Sequence, residues 1–236
     1  MEAGRFNTFR TLAVIDLLKK NQARQNAYIA GDFYYTDGAT DHKQNFNRFN
    51  LFGKYQLAVS RRTQLIAALS AFKSKWDASG QIPSRAVEKG LIDRFGSIDP
   101  TEGGNTSRSN ANILLVHHFS ANTTWENRAY YSRYKFNLYS NFSFFLVDTI
   151  NGDEINQGEK RNLYGYLSKL THKYLVSNGS LMSAYGMGIR DDAVSDSKLS
   201  HVVTRQFLSY TNLGNIDELN AFGYTDQQLN IGKWLI

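Results

Sequence analysis

The residues of this sequence best suited to binding are arginines and aromatic residues near the ends of long predicted connections. A guanidinium group can form paired hydrogen bonds with an anionic group, and an aromatic ring supplies flat contact area. Such residues could line a vestibule for a small-molecule ligand. The competing interpretation gives them a structural role, in loop packing and in interfacial aromatic girdles. The set comprises Trp76, Arg94, Arg108, Arg133, Tyr139, Phe142 and Arg161.

The sequence gives little support to catalysis or to metal binding. It contains no Gly-x-Ser-x-Gly nucleophile motif and no glycine loop followed by a phosphate-binding lysine. His117 and His118 are adjacent, so on a strand they would point to opposite faces and could not easily share one ion. The loop carboxylates lack the alternating pattern of a calcium loop, and no spacing selects a pair for glycoside hydrolysis. We expect no enzyme activity, no cofactor and no metal site.

The connections between predicted strands alternate between short and long. Short turns are predicted near residues 60–62, 120–122 and 177–180, and long loops at 37–45, 76–106, 137–160 and 191–199. Tight turns at one end of a sheet and long loops at the other are typical of an outer-membrane β-barrel. In such a barrel the turns are periplasmic and the long loops are extracellular.

The clearest strand pattern covers residues 48–60, where apolar and polar side chains alternate. The apolar side spans about ten residue steps, or about 33 Å, which at a tilt of about 45° covers roughly the apolar band of a barrel. We therefore expect one set of side chains to face lipid and the other to face the lumen. The lipid-facing set is Phe49, Leu51, Tyr55, Leu57 and Val59, and the lumen-facing set is Arg48, Asn50, Lys54 and Gln56.

Composition is compatible with this pattern. The 236 residues include no cysteine, which excludes a disulfide framework and a thiolate metal site. Tyrosine (14) and phenylalanine (15) are frequent although the mean hydropathy is −0.44, as in strands with one apolar face. Residues 76–106 hold three basic and five acidic residues, and the basic residues elsewhere are dispersed along strands. A nucleic-acid site would need them clustered, so we expect no nucleic-acid partner.

The connection 76–106 contains both prolines, Pro83 and Pro100. Pro83 suits the first turn of a helix, residues 84–89 can form that turn, and Gly90 suits its C-terminal cap. Loops longer than about 15 residues are usually functional or disordered. We expect this one to fold over the extracellular mouth and to form part of the vestibule.

The predicted fold class is all-β: about ten meandering antiparallel strands in an open curved sheet, as part of a transmembrane β-barrel. The last two predicted strands cover residues 201–213 and 218–226. Two alternatives remain. One is a plugless porin-type barrel, and the other is a soluble carbohydrate-binding or adhesive β-sandwich, whose strands would more often be five or six residues long.

Several segments resemble the barrel of TonB-dependent outer-membrane receptors, especially those of Bacteroidota. They are FNTFR (6–10), QNFNRFNLFGK (44–54), KWDASGQIP (75–83), RFGSID (94–99), TEGGNTSR (101–108) and YSRYKFNLYSNF (131–142). The resemblance extends over most of the chain and is specific only when these segments are taken together.

The resemblance implies the N-terminal half of the receptor barrel over residues 1–236, without plug domain, TonB box or signal peptide. It implies a location in the bacterial outer membrane and a role in energised uptake of a scarce ligand, such as a ferric siderophore, haem, cobalamin or a glycan. The implied partners are outer-membrane lipid, the small-molecule ligand, and the TonB complex acting through the plug region.

Overall fold

In the computed structural model the described residues are 1–18, 24–232 and 234–235. They form one antiparallel sheet in which each strand pairs with the strands before and after it in the chain. The strands are β1 (Glu2–Gly4), β2 (Thr8–Asp16), β3 (Gln25–Thr36), β4 (Phe46–Ala58), β5 (Thr63–Asp77), β6 (Gly103–His118), β7 (Thr123–Ser140), β8 (Ile155–Val176), β9 (Gly179–Val203), β10 (Gln206–Ile231) and β11 (Trp234–Leu235), with one short helix, α1 (Ser84–Glu88).

The sheet is open. β1 and β11 are very short and lie at opposite ends of the strand order, with no pairing between them. The prediction of an open meander of about ten strands is therefore confirmed. The β-sandwich alternative is wrong, because the described residues form a single sheet with no second sheet packed on it. No helix within the described ranges is long and apolar enough to cross a membrane.

Side-chain alternation gives the sheet one apolar and one polar face, because residues paired across strands point to the same side. The register from β3 to β8 aligns the apolar residues in rows, and several are well exposed: Phe33, Phe49, Leu51, Leu69, Ile113 and Tyr164. On the other face Asp32 accepts bonds from Arg10 (2.8 Å) and Arg48 (2.9 Å). The predicted division of β4 into two such faces agrees with this register.

The described part of the chain has almost no hydrophobic core of its own. Among the described residues the buried apolar side chains are Ala27, Ala184, Val194 and Val202. The strands are instead held by long hydrogen-bonded ladders, and they lengthen from nine residues in β2 to 26 in β10. Such a sheet can be stable only if its apolar face is covered, since exposed apolar area of this extent is unfavourable in water.

The predicted loop at 191–199 is wrong, because these residues lie inside β9. The polar segment contains a register shift, and Asp196 has a positive φ of 53°, so it forms a β-bulge rather than a connection. The strands predicted at 201–213 and 218–226 are also wrong. The chain instead turns at Thr204 and Arg205, and β10 then continues without interruption.

The sequence pattern does not predict the turn at Thr204 and Arg205, because the turn contains no glycine, proline or asparagine. Both residues have positive φ, 46° and 64°, which is the backbone that a tight hairpin turn requires. The long loop predicted at 37–45 lies between β3 and β4 as predicted, whereas those at 76–106 and 137–160 are shorter than predicted. β5 extends to Asp77 and β6 starts at Gly103, whereas β7 ends at Ser140 and β8 starts at Ile155.

Helix α1 lies in the connection between β5 and β6, where the sequence predicts it. Pro83 occupies the N-cap position, with its fixed φ of −63°. Gly90 has a φ of +66° and donates its N–H to the Val87 carbonyl oxygen. The helix is thus bounded by the two residues that favour its start and its end.

Adjacent residues of β6 test which face meets lipid. We expect Ile113→Arg on the apolar face to destabilise the barrel by about 2–4 kcal/mol, the cost of an arginine near the bilayer midplane. Asn112→Arg on the polar face should cost much less. The measurement is the free energy of unfolding of the full-length protein in phospholipid vesicles. Equal destabilisation by the two substitutions would contradict this assignment of the faces.

Candidate ligand-binding surface

Arg108 and Arg161 lie on the polar face and share one row of the sheet. Arg108 pairs with Tyr134, and Tyr134 pairs with Arg161 on its other side. The Arg108 guanidinium lies 5.1 Å from the centre of the Tyr134 ring, a cation–π contact that holds the arginine flat against the sheet. The three side chains therefore form a continuous strip of two cations with an aromatic ring between them.

The strip borders a cavity of about 360 Å³, which we call the arginine pocket; it is lined by Arg108, Ser132, Tyr134, Glu159, Arg161 and Leu163. Arg161 Nε lies 3.6 Å from both the Glu159 and the Asp192 carboxylate. These distances are too long for hydrogen bonds. Arg161 Nε is also buried and has no hydrogen-bond partner. The arginine pocket thus contains a guanidinium group that lies between two carboxylates and whose Nε forms no hydrogen bond within the described residues.

Arg133 lies on the opposite face from this pocket. It follows Ser132 and precedes Tyr134 in β7, and it pairs with Ser109 and Asn162. Because successive strand residues point to opposite sides, Arg133 shares the apolar face and cannot line the same surface as Arg108 and Arg161. Residue type alone does not show which face each arginine occupies. Its odd or even position along the strand, read with the strand register, does.

The remaining predicted residues lie near the long connections. Arg94 is exposed in the connection between β5 and β6, and Phe142 is exposed in the connection between β7 and β8. Trp76 lies at the end of β5 against Gly104, where a Cβ atom would come within 3.0 Å of the indole ring. Arg94, Phe142 and Trp76 therefore do not line the arginine pocket.

Tyr139 belongs to a second group, which the sequence analysis missed. The Arg205 guanidinium lies 5.3 Å from the centre of the Tyr139 ring. The same guanidinium donates to Thr101 O (2.6 Å), Glu102 O (3.1 Å) and Asp77 Oδ1 (3.0 Å). The backbone N–H of Arg205 donates to Glu154 Oε2 at 3.1 Å. We call this group the loop junction: Asp77, Thr101, Glu102, Tyr139, Glu154 and Arg205.

The loop junction joins three connections. Arg205 belongs to the β9–β10 turn, Thr101 and Glu102 end the β5–β6 connection, and Glu154 ends the β7–β8 connection. Close approach is possible because Gly103 has a φ of +141°. A Cβ atom there would lie 2.4 Å from the Trp76 carbonyl oxygen and 3.1 Å from Arg205 Nη2. The Gly103-Gly104 pair is the one sequence signal that could have marked this position.

The carboxylates at the loop junction differ in their electrostatics. Burial opposes ionisation of Asp77, but hydrogen bonds from Asn45 and Arg205 outweigh it and hold its pKa below the ordinary value. Burial raises the pKa of Glu102, and the charges of Asp99 and Glu154 raise it further. Glu102 is 5% exposed, and its Oε1 has no hydrogen-bond partner. Ionised Glu102 therefore destabilises the loop junction.

The connection between β3 and β4 joins the same assembly. The Asp37 carboxylate accepts bonds from Tyr35 and Asn7, both at 2.7 Å, and pairs with Lys43 at 2.9 Å. These contacts, led by the Tyr35 hydroxyl, lower the pKa of Asp37 to about 2. Asp41 N–H donates to the Phe95 carbonyl oxygen. All the long connections are thereby tied to one another at this end of the sheet.

No cluster of acidic, histidine or cysteine side chains suited to a metal ion occurs among residues 1–18, 24–232 and 234–235. The arrangement instead offers hydrogen-bond donors and aromatic surface. It is suited to holding an anion without covalent chemistry.

The ferric citrate transporter FecA, in its unliganded form, superimposes on this chain with a TM-score of 0.78 at 10% sequence identity. The match covers 98% of this chain and 34% of FecA. The fold is that of an outer-membrane transporter barrel. The ferric-catecholate import receptor Fiu of Escherichia coli, in its open form, matches with a TM-score of 0.72 at 12% identity, over 98% of this chain and 41% of Fiu.

The ferripyoverdine receptor of Pseudomonas aeruginosa gives a TM-score of 0.63 at 11% identity, over 99% of this chain and 37% of the receptor. The chain thus spans between a third and about two-fifths of the length of these structures. No protein-family profile matches the chain, and no curated protein matches it. At these identities the comparisons establish the fold and leave the ligand open.

Arg205→Ala should loosen the β5–β6 connection. It removes charge-assisted hydrogen bonds worth about 1.5–3 kcal/mol each, so we expect faster hydrogen exchange and faster proteolysis across residues 78–102 in an assembled barrel. Arg94→Ala, an exposed arginine in the same connection, is the matched control and should change neither rate. Unchanged protection in the Arg205 variant would show that the connection is held by other contacts.

The raised pKa of Glu102 predicts a pH dependence. Protonated Glu102 stabilises the closed connection, so its contribution is complete below the ordinary value of 4.5. The contribution is lost as pH rises through the raised pKa. The opening free energy of residues 78–102, from hydrogen exchange corrected for intrinsic rates, should fall over this range. Glu102→Gln should abolish the fall, whereas the exposed Glu88→Gln should preserve it. A Glu102→Gln profile identical to that of the unmodified protein would refute this assignment.

Proposed function

We propose that this chain forms part of the barrel of an outer-membrane receptor that takes up an anionic ferric chelate. The carrying observation is the arginine pocket, in which Arg108 and Arg161 flank Tyr134 on the polar face of the sheet. An outer-membrane barrel has a wet, polar interior, so this face lines the lumen. A ligand in the lumen would meet the two guanidinium groups and the aromatic ring together.

The chemistry of the arginine pocket supports an anionic ligand. Guanidinium groups bind carboxylate and catecholate-type oxygens through charge-assisted hydrogen bonds. Arg161 Nε forms no hydrogen bond within the described residues, although the Glu159 and Asp192 carboxylates lie 3.6 Å from it. The solved structures with this fold include receptors named for ferric citrate, ferric catecholate and ferripyoverdine. All three names denote iron-containing ligands, which supports the same class of substrate here.

The tied connections suggest how a ligand would be admitted. We propose that the β5–β6 connection lies over the extracellular mouth, with Trp76 and Arg94 contributing to the vestibule above the arginine pocket. Tyr139 pairs with Gly103 in the row of Asp77, on the same side of the sheet as Arg133, and therefore does not line this vestibule. Energised release would need the TonB complex acting on a plug region of the full-length receptor. A plugless porin would need neither, so uptake that depends on TonB separates the two functions.

The arginine pocket can be tested with ferric citrate and a ferric tris-catecholate as probes. In the full-length receptor, Arg108→Gln combined with Arg161→Gln should weaken binding of the preferred probe at least roughly tenfold, because each lost charged hydrogen bond contributes about 1.5–3 kcal/mol. The measurement is a binding titration by fluorescence quenching. Arg133→Gln is the control, since it removes an arginine from the opposite face of the same strand.

The control variant should bind like the unmodified receptor. Failure of both probes to bind the unmodified receptor would remove ferric chelates as the substrate class. Equal weakening by Arg133→Gln would show that the effect is one of net charge and not of the arginine pocket.

A further inference from the structure

A group of cations lies on the apolar, lipid-facing side of the sheet, at the end nearest the long connections. We call it the basic belt: Lys73, Lys75, Arg133, Lys135, Lys160 and Lys198. Register places it there. Lys73, Ser107, Lys135 and Lys160 occupy one row, and Lys75, Asn105, Asn137, Gly158 and Lys198 occupy the next. Along β7, Arg133 lies two residues below Lys135 on the same face.

The basic belt begins where the apolar rows end. Along β5 the same face carries Leu69 and Ala71 and then Lys73; along β7 it carries Tyr131 and then Arg133. Leu69 is 65% exposed, so the apolar surface immediately below the basic belt is open. A molecule that covers both regions must have an apolar part and an anionic head, joined in that order from the membrane outward.

The charges of the basic belt are only partly compensated. Lys160 pairs with Asp196 at 2.5 Å, whereas Lys135, its cross-strand neighbour, forms no ion pair within the described residues. Like charges opposite each other on neighbouring strands are unfavourable. The other carboxylates on this face are Asp77, which is bonded to Arg205, and Asp191 and Asp217, which lie toward β10. Between β5 and β8 the surface therefore attracts an anion.

The basic belt also contains a concavity of about 360 Å³. Its lining includes three lysines and two asparagines: Lys135, Lys160, Lys198, Asn105 and Asn137, with Tyr210 beside them. Two carboxylates, those of Glu159 and Asp196, also line it. Lysine ammonium and asparagine amide groups are the donors that phosphate oxygens accept. The site is thus concave, rich in donors and continuous with an apolar surface.

We propose that the basic belt binds the phosphate groups of a phosphorylated glycolipid of the outer leaflet, whose acyl chains lie along the apolar face below. The long connections mark the outer side of the membrane, so the lipid facing the basic belt is that of the outer leaflet. The proposal rests on the outer-membrane location given above and is independent of the ligand of the arginine pocket.

The test uses the full-length receptor purified in detergent, with diphosphorylated lipid A and its dephosphorylated form as probes. Native mass spectrometry and titration should show preference for the phosphorylated form. Lys135→Gln combined with Lys198→Gln should weaken its binding about 30-fold, since each surface cation contributes a factor of about five toward an anionic headgroup. Lys54→Gln combined with Lys169→Gln, on the lumen face, is the matched control and should bind normally.

Lys135→Arg combined with Lys198→Arg should retain binding, since the charge remains. If the glutamine variant does not assemble, the preference of the unmodified receptor decides alone. Equal binding of dephosphorylated lipid A or of phosphatidylglycerol overturns the proposal, as does a glutamine variant that binds normally. Ferric chelate binding should be unaffected by the glutamine variant, so failure of this proposal and failure of the uptake function are separable.

Discussion

The organisation of this protein above the sheet depends on the Arg205 guanidinium. It binds two carbonyl oxygens and one carboxylate from residues more than 100 positions earlier in the chain. Backbone carbonyls at the end of a connection need donors when water is excluded, and Arg205 supplies several in one planar group. Other side chains also join these connections: Asn141 Nδ2 donates to Asp99 Oδ2 at 2.8 Å, and Thr101 Oγ1 donates to Glu154 Oε1 at 3.1 Å. Arg205 adds to them the guanidinium group that binds the β9–β10 turn to the end of the β5–β6 connection.

The two faces of the sheet carry different chemistry within one residue of each other. Arg133 and Tyr134 are neighbours in the chain, yet one belongs with the basic belt and the other with the arginine pocket. This separation follows from the period of two in an extended strand. One strand can therefore present residues to lipid on one side and to a lumen ligand on the other, at the same level along its length. A register slip of one residue would exchange the two surfaces, so the long ladders protect specificity as well as stability.

Sequence patterns predicted the parts that depend on local rules. Alternation in β4 and the Pro83–Gly90 limits of α1 depend on neighbouring residues, and both agree with the structure. The β9–β10 turn failed because Thr204 and Arg205 adopt positive φ without a residue type that marks it. The members of the loop junction are distant in sequence and form no motif, so only the Gly103-Gly104 pair beside them could have marked its position. Arg108 and Arg161 were identified by type, but their partnership through Tyr134 required the register.

The alternating direction of the strands has a consequence for closure. β2 and β10, the long strands nearest the two edges, are separated by an even number of steps in an uninterrupted antiparallel order, so they run the same way. Whatever seals the gap must therefore contain an odd number of long strands if every pairing is to remain antiparallel. Two identical sheets placed edge to edge about an axis parallel to the strands would bring like-directed strands together. The topology thus favours completion by a different piece of polypeptide over completion by a copy of itself.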